Sequence, residues 1–194
     1  MTQGKKGIEL LITGLMITLA ANFLGGIDTG IWLSALVFFI EALSMAIVAV
    51  GLKQFADRDP KWHWAGVAAT INLVLCLVLG GLTAWSADGT SYWMAAIATI
   101  VLIGNKALII TLMGLLLMAL SDDLKEAGLI EASKRGHTVW WWFFALTLLD
   151  LLIGITAALL VSQAIPALTY LVLLAGLPAL ALGIVAIVFI YRHI

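Results

Sequence analysis

Three ionisable residues stand in stretches of this 194-residue chain that otherwise hold almost nothing but apolar side chains: Glu41, Lys106 and Asp150. Two carboxylates and one ammonium can pair, hold a proton or bind a cation, depending on whether water or a countercharge reaches them. Glu41 follows Ile31 by ten residues, Lys106 follows Tyr92 by fourteen and Asp150 follows Trp140 by ten. At 1.5 Å per helical residue, each charge falls about 15–20 Å into its stretch, near the middle of a hydrocarbon layer about 30 Å thick. Asn72 and Asn105 are expected at nearly the same depth, and Pro178 lies eleven residues into the last apolar stretch.

A charge at the centre of a membrane helix costs about 2.5–3.5 kcal/mol on insertion scales, against about −0.3 to −0.6 for each Leu, Ile, Phe or Val. A long apolar stretch therefore tolerates one. Hydrocarbon offers such a charge no partner, so it must face the inside of a bundle. One ammonium neutralises one carboxylate and leaves the other over. The surplus acid then keeps a proton, binds a cation or faces a water-filled cavity, and each outcome is a signature of transport. The expected site has Glu41 and Asp150 as charged ligands, Lys106 as the internal countercharge, and Asn72 and Asn105 as neutral ligands. Pro178 removes a backbone donor and frees a carbonyl near Leu174 for a cation; the plainer reading is a kink. The residue types do not single out a metal.

The elements that must position these residues follow from composition. The chain is 63% hydrophobic and 11% charged, with a mean hydropathy of +1.14, far from the roughly 45–50% apolar content of a soluble domain. Ten basic and eleven acidic residues leave no excess charge for a nucleic-acid partner. The expected fold is an all-α integral membrane protein of one domain. Its six spans cover Gly7 to Leu24, Ile31 to Leu52, Trp64 to Trp85, Tyr92 to Leu120, Trp140 to Val161 and Ala167 to Tyr191. Turn chemistry separates the members of each hairpin: Gly25, Gly26, Asp28 and Gly30, then Ser86 to Ser91, then Ser162 to Pro166. Three hairpins of equal orientation invite comparison as a parallel pseudo-repeat. Their second helices carry Glu41-Ala42-Leu43, Lys106-Ala107-Leu108 and Pro178-Ala179-Leu180 at similar depth.

Nine of the ten basic residues lie outside the spans, and all nine fall on one side: Lys5, Lys6, Lys53, Arg58, Lys61, Lys125, Lys134, Arg135 and Arg192. The positive-inside rule places that side, with both termini, in the cytoplasm, as expected for a bacterial inner or plasma membrane. All eight tryptophans lie near span ends, where their amphipathic rings suit the headgroup layer. Lys5, Lys6 and the following apolar run resemble a signal peptide, but Glu9 interrupts the junction, so the segment is expected to persist as a helix. Residues 121–138 open with Ser121, Asp122 and Asp123 and close with Lys134 and Arg135, an order that suits a short amphipathic cytoplasmic helix. Gly14, Thr18 and Asn22 recur every four residues, as do Ala42 and Ala46, and both stripes read as close helix packing. Cys76, the single cysteine, reads as a small buried hydrophobe.

His63, His137 and His193 lie at span ends, which disfavours haem ligation, and no zinc-helix, serine-elbow, phosphate-loop or paired-cysteine motif occurs. No cofactor is expected. Three functional classes remain. The favoured one is a cation- or proton-linked transporter or channel, partnered by the lipid bilayer, with association into a homo-oligomer or with a membrane subunit left open. The second is a non-catalytic membrane subunit whose buried polar network is structural. The third is an enzyme acting on a lipid-linked substrate through Asp57, Asp59, Asp122 and Asp123.

Overall fold

A computed structural model describes residues 2–25, 31–85, 92–160 and 166–194, with side chains at 6–24, 32–85, 97–153, 156 and 177–194. Six helices make up this structure, with no strand among the described residues: α1 (Thr2–Gly25), α2 (Ile31–Lys53), α3 (Pro60–Trp85), α4 (Tyr92–Glu126), α5 (Ile130–Leu160) and α6 (Pro166–His193). Five of them contain stretches long and apolar enough to cross a membrane, and the described apolar part of α6, Leu177–His193, is shorter. The turns expected at 26–30, 86–91 and 161–165, with Asp28 and Asp88, lie outside the described residues, as does the side chain of Trp93.

Consecutive helices pack side by side in chain order. The ring closes where α6 returns to α1, and α6 also touches α4. Helices α1 and α2 approach backbone to backbone. A Cβ on Gly14 would meet Val48 Cγ2 at 2.6 Å and the Ser44 carbonyl oxygen at 2.9 Å, and one on Gly51 would meet the Leu11 backbone nitrogen at 2.8 Å. Glycine at both positions lets the two backbones touch, which the small-residue stripe anticipates.

The apolar core is concentrated at one end of the bundle, where α1, α3 and α5 begin and α2, α4 and α6 end. Leu11, Leu52, Phe55, Trp62, Leu116 and Ile190 are buried there. Trp62 departs from the expected ring of interfacial tryptophans: it is fully buried, 5.3 Å from the Phe55 ring. It stands in the first turn of α3, which the Asp59 carboxylate caps ahead of Pro60 by accepting from the Lys61 backbone N–H at 2.6 Å. Trp32, Trp64, Trp85, Trp141 and Trp142 are exposed, as interfacial anchors would be.

The connection at 121–138 also differs from expectation. α4 continues through Asp122 and Asp123 to Glu126, and α5 starts at Ile130, leaving three residues between them. Gly128, at φ 79°, ends α4. The Leu129 N–H reaches the Leu124 carbonyl at 2.8 Å and the Gly128 N–H reaches Lys125 at 3.1 Å, the paired bonds of a Schellman cap. The Lys61 ammonium pairs with Asp122, joining the start of α3 to the end of α4.

The outer surface is apolar along its length. Leu36, Leu43, Val74, Ile100, Leu149 and Val188 are all exposed, in a chain whose buried set includes Glu41, Asn72 and Asn105. Such inversion is what a bundle surrounded by hydrocarbon requires.

Candidate functional site

Above the apolar core lies a cavity of about 350 Å³, lined by α1, α2, α4, α5 and α6. Helix α3 packs behind it against α2 and α4. Leu15, Leu112, Met113 and Ile187 belong both to the lining and to the core cluster, so the packed end of the bundle forms the cavity floor. Its polar groups include Asn22, Glu41, Asn105, Lys106, Thr147 and Asp150.

Glu41 projects inward from α2 and is almost fully buried. Its Oε1 accepts from Asn22 Nδ2 at 2.9 Å and from Asn105 Nδ2 at 3.4 Å. The Asn22 Oδ1 accepts from the Lys106 ammonium. Chemistry fixes the sense of this relay. Lysine offers only donors, so it must meet the amide oxygen, and the amide nitrogen is thereby turned toward the acid. The second Asn22 hydrogen reaches the Thr18 carbonyl at 3.1 Å, which holds the side chain against its own helix. Beneath it, the Thr18 and Ser44 hydroxyls bond at 2.7 Å, and Ser44 donates to the Glu41 carbonyl at 2.7 Å. On the far side, the Cys76 thiol donates to Asn105 Oδ1 at 3.7 Å.

The expected direct pairing of Lys106 with an acid is replaced by this bridge. Among the described residues no ion pair joins Lys106 to Glu41 or Asp150, although Lys106 lies within electrostatic reach of both. An amide between two charges shares the desolvation between three helices and leaves the ammonium with donor capacity to spare. Asp150 stands differently. It is half-buried on α5, lines the same cavity, and among the described residues accepts no hydrogen bond. One turn earlier, Thr147 also lines the cavity, and its buried hydroxyl has no partner among the described residues.

Four of the six anticipated residues, Glu41, Asn105, Lys106 and Asp150, therefore line one cavity. The other two do not. Asn72 is fully buried on α3, one turn before Cys76, outside the lining and with both amide atoms unpartnered among the described residues. Pro178 is exposed on α6, while its neighbours Ala179 and Leu180 line the cavity. No group of three or more His, Cys, Asp or Glu that could hold a metal occurs among the described residues. The four acids Asp57, Asp59, Asp122 and Asp123 do not form one either; Asp59 caps α3 and Asp122 pairs with Lys61.

Asn22 is the residue that sequence reasoning missed, because its spacing with Gly14 and Thr18 reads as close helix packing. It lies three residues from the end of α1, whereas Glu41 lies ten from the start of α2. Counting depth from each helix's own end places them apart; the four-residue spacing with Thr18 and Gly14, which bond or pack against α2, was the signal that Asn22 faces it.

Comparison with protein-family models, curated proteins and solved structures finds no match. The functional reading therefore rests on the site's own chemistry.

Proposed function

We propose that the chain is a multi-pass membrane protein, three tandem hairpins with both termini in the cytoplasm, that carries a cation or a proton through the cavity beside Asp150. The observation behind this reading is the unequal satisfaction of two acids lining one cavity. Glu41 is tied by two amides, and one of them is held by Lys106. Among the described residues, Asp150 has an ammonium within electrostatic reach and an unpartnered hydroxyl one turn away, but no hydrogen bond of its own. A carboxylate in such a place needs a mobile positive charge, a proton or water.

The two acids then have separate roles. Glu41 is a clasp that joins α1, α2 and α4 through Asn22 and Asn105. Asp150 is the acid that takes up and releases the ion, with the Asn22-held Lys106 as fixed countercharge and Thr147 as a neutral ligand. The floor of Leu15, Leu112, Met113 and Ile187 closes the cavity toward the proposed cytoplasmic end, so transport requires α1, α4 and α6 to part there.

Thermal unfolding in detergent separates the roles. Wild type should gain stability with a preferred cation or with a change of pH, by about 2.7 kcal/mol at a hundredfold excess over its dissociation constant. Asp150→Asn should stay folded and lose that response. Glu41→Gln should unfold at lower temperature, by about 1–3 kcal/mol, yet keep it. If wild type responds to none of sodium, potassium, calcium or pH and both variants unfold alike, the polar network is structural and the protein is a membrane subunit.

A further inference from the structure

A second concavity lies away from the charged cavity, between the start of α5 and the end of α6. Gly128 to Ala132 form one wall, and Val185, Val188, Phe189, Arg192 and His193 the other. Its lining mixes basic and apolar side chains. Arg135 and Arg192 are exposed in it, and among the described residues neither forms an ion pair, although Glu131 lines the same groove. Leu129, Ile130, Val185 and Val188, in the same lining, are exposed as well. His193 is fixed rather than free: its Nδ1 donates to the Phe189 carbonyl at 2.9 Å and its ring lies 4.5 Å from the Phe189 ring.

We infer that this groove binds an anionic phospholipid, its phosphate held by Arg135 and Arg192 and an acyl chain lying along Val185 and Val188. The inference rests on the membrane reading above, which puts the start of α5 and the end of α6 at the cytoplasmic interface, at headgroup height. Two guanidiniums against one carboxylate leave a positive balance that selects an anion. Guanidinium forks match phosphate oxygens in shape as well as charge. A soluble phosphate would use the arginines but leave the valines uncovered, whereas a lipid covers both. The site lies where α5 and α6 meet, and Ile187 of the cavity floor is the residue before Val188 on α6, so an occupied groove braces that helix pair beside the floor.

The test uses purified full-length protein in neutral detergent, titrated with dioleoyl phosphatidylglycerol or with dioleoyl phosphatidylcholine, and followed by native mass spectrometry and by unfolding temperature. Phosphatidylglycerol should bind with a saturable one-to-one stoichiometry and raise the unfolding temperature more than phosphatidylcholine does. Arg135→Gln with Arg192→Gln should weaken that binding roughly 30-fold, from about a fivefold contribution by each arginine near a charged interface. Arg135→Lys with Arg192→Lys should recover part of it, and Lys134→Gln, which alters an exposed charge outside the groove, should leave it intact. Equal binding of the two lipids overturns the site. So does equal stabilisation by inorganic phosphate, which would mark a free-anion site, or an equal loss in Lys134→Gln, which would mark general surface attraction. The membrane reading fails by a different measurement, release of the chain from membranes by alkaline carbonate.

Discussion

The smallest unit of this site is an amide between two charges. Asn22 accepts from Lys106 and donates to Glu41, so removing it strands an ammonium and takes away the shorter of the two amide donors to the acid. Asn22→Leu should cost about 3 kcal/mol of stability in detergent. Combined with Lys106→Met, the cost should be well below the sum of the separate losses, because the second change removes the stranded charge; additive losses would show that the relay does not couple them. Glu41, Asn105, Lys106 and Asp150 were legible in the sequence because a charge or amide in an apolar run has few harmless places to be. Asn22 and Thr147 were not, since an amide near a helix end and a threonine in a helix are ordinary there. Asn72 and Pro178 were drawn in by depth alone, and depth says nothing of which way a residue faces around its helix.

At the level of the helix, the site depends on how closely α1 can lie on α2. Gly51→Ala places a methyl against the Leu11 backbone at 2.8 Å, which only separation of the two helices relieves. It should lower stability by about 1–3 kcal/mol. Gly81→Ala is the matched control, since a Cβ there meets nothing within 4 Å, and it should be neutral or slightly stabilising. Unfolding temperatures of the two variants check the register; equal effects would contradict it. Six helices were legible from long apolar runs, and five of them contain stretches long and apolar enough to cross a membrane. The α4 to α5 connection was not. Acids followed by bases resemble the two ends of one short helix, but here they are the end of one long helix and the start of another, divided by Gly128, whose left-handed backbone is the feature that a charge pattern hides.

Across the whole molecule, an apolar exterior, a packed end and a charged cavity above it are the features on which the proposed transport role depends. Cysteine labelling tests the proposed orientation. In a Cys76→Ala background, Asp88→Cys should react with an impermeant maleimide added from outside and Lys125→Cys only from the cytoplasmic side; the reverse pattern would invert the topology. Nothing in the apolar pattern alone distinguishes a transporter from a structural subunit, because both bury polar groups at helix contacts and differ only in whether one of those groups is left without a fixed partner. Ion flux decides between them most directly. Protein reconstituted into sealed vesicles holding a pH-sensitive dye, and challenged with gradients of sodium, potassium, calcium or protons, should pass at least one of these ions faster than protein-free vesicles. Asp150→Asn should abolish the flux, while Glu41→Gln, where it folds, should retain part of it. Flux no faster than in protein-free vesicles for every ion, or undiminished flux in Asp150→Asn, would contradict the role assigned to the cavity.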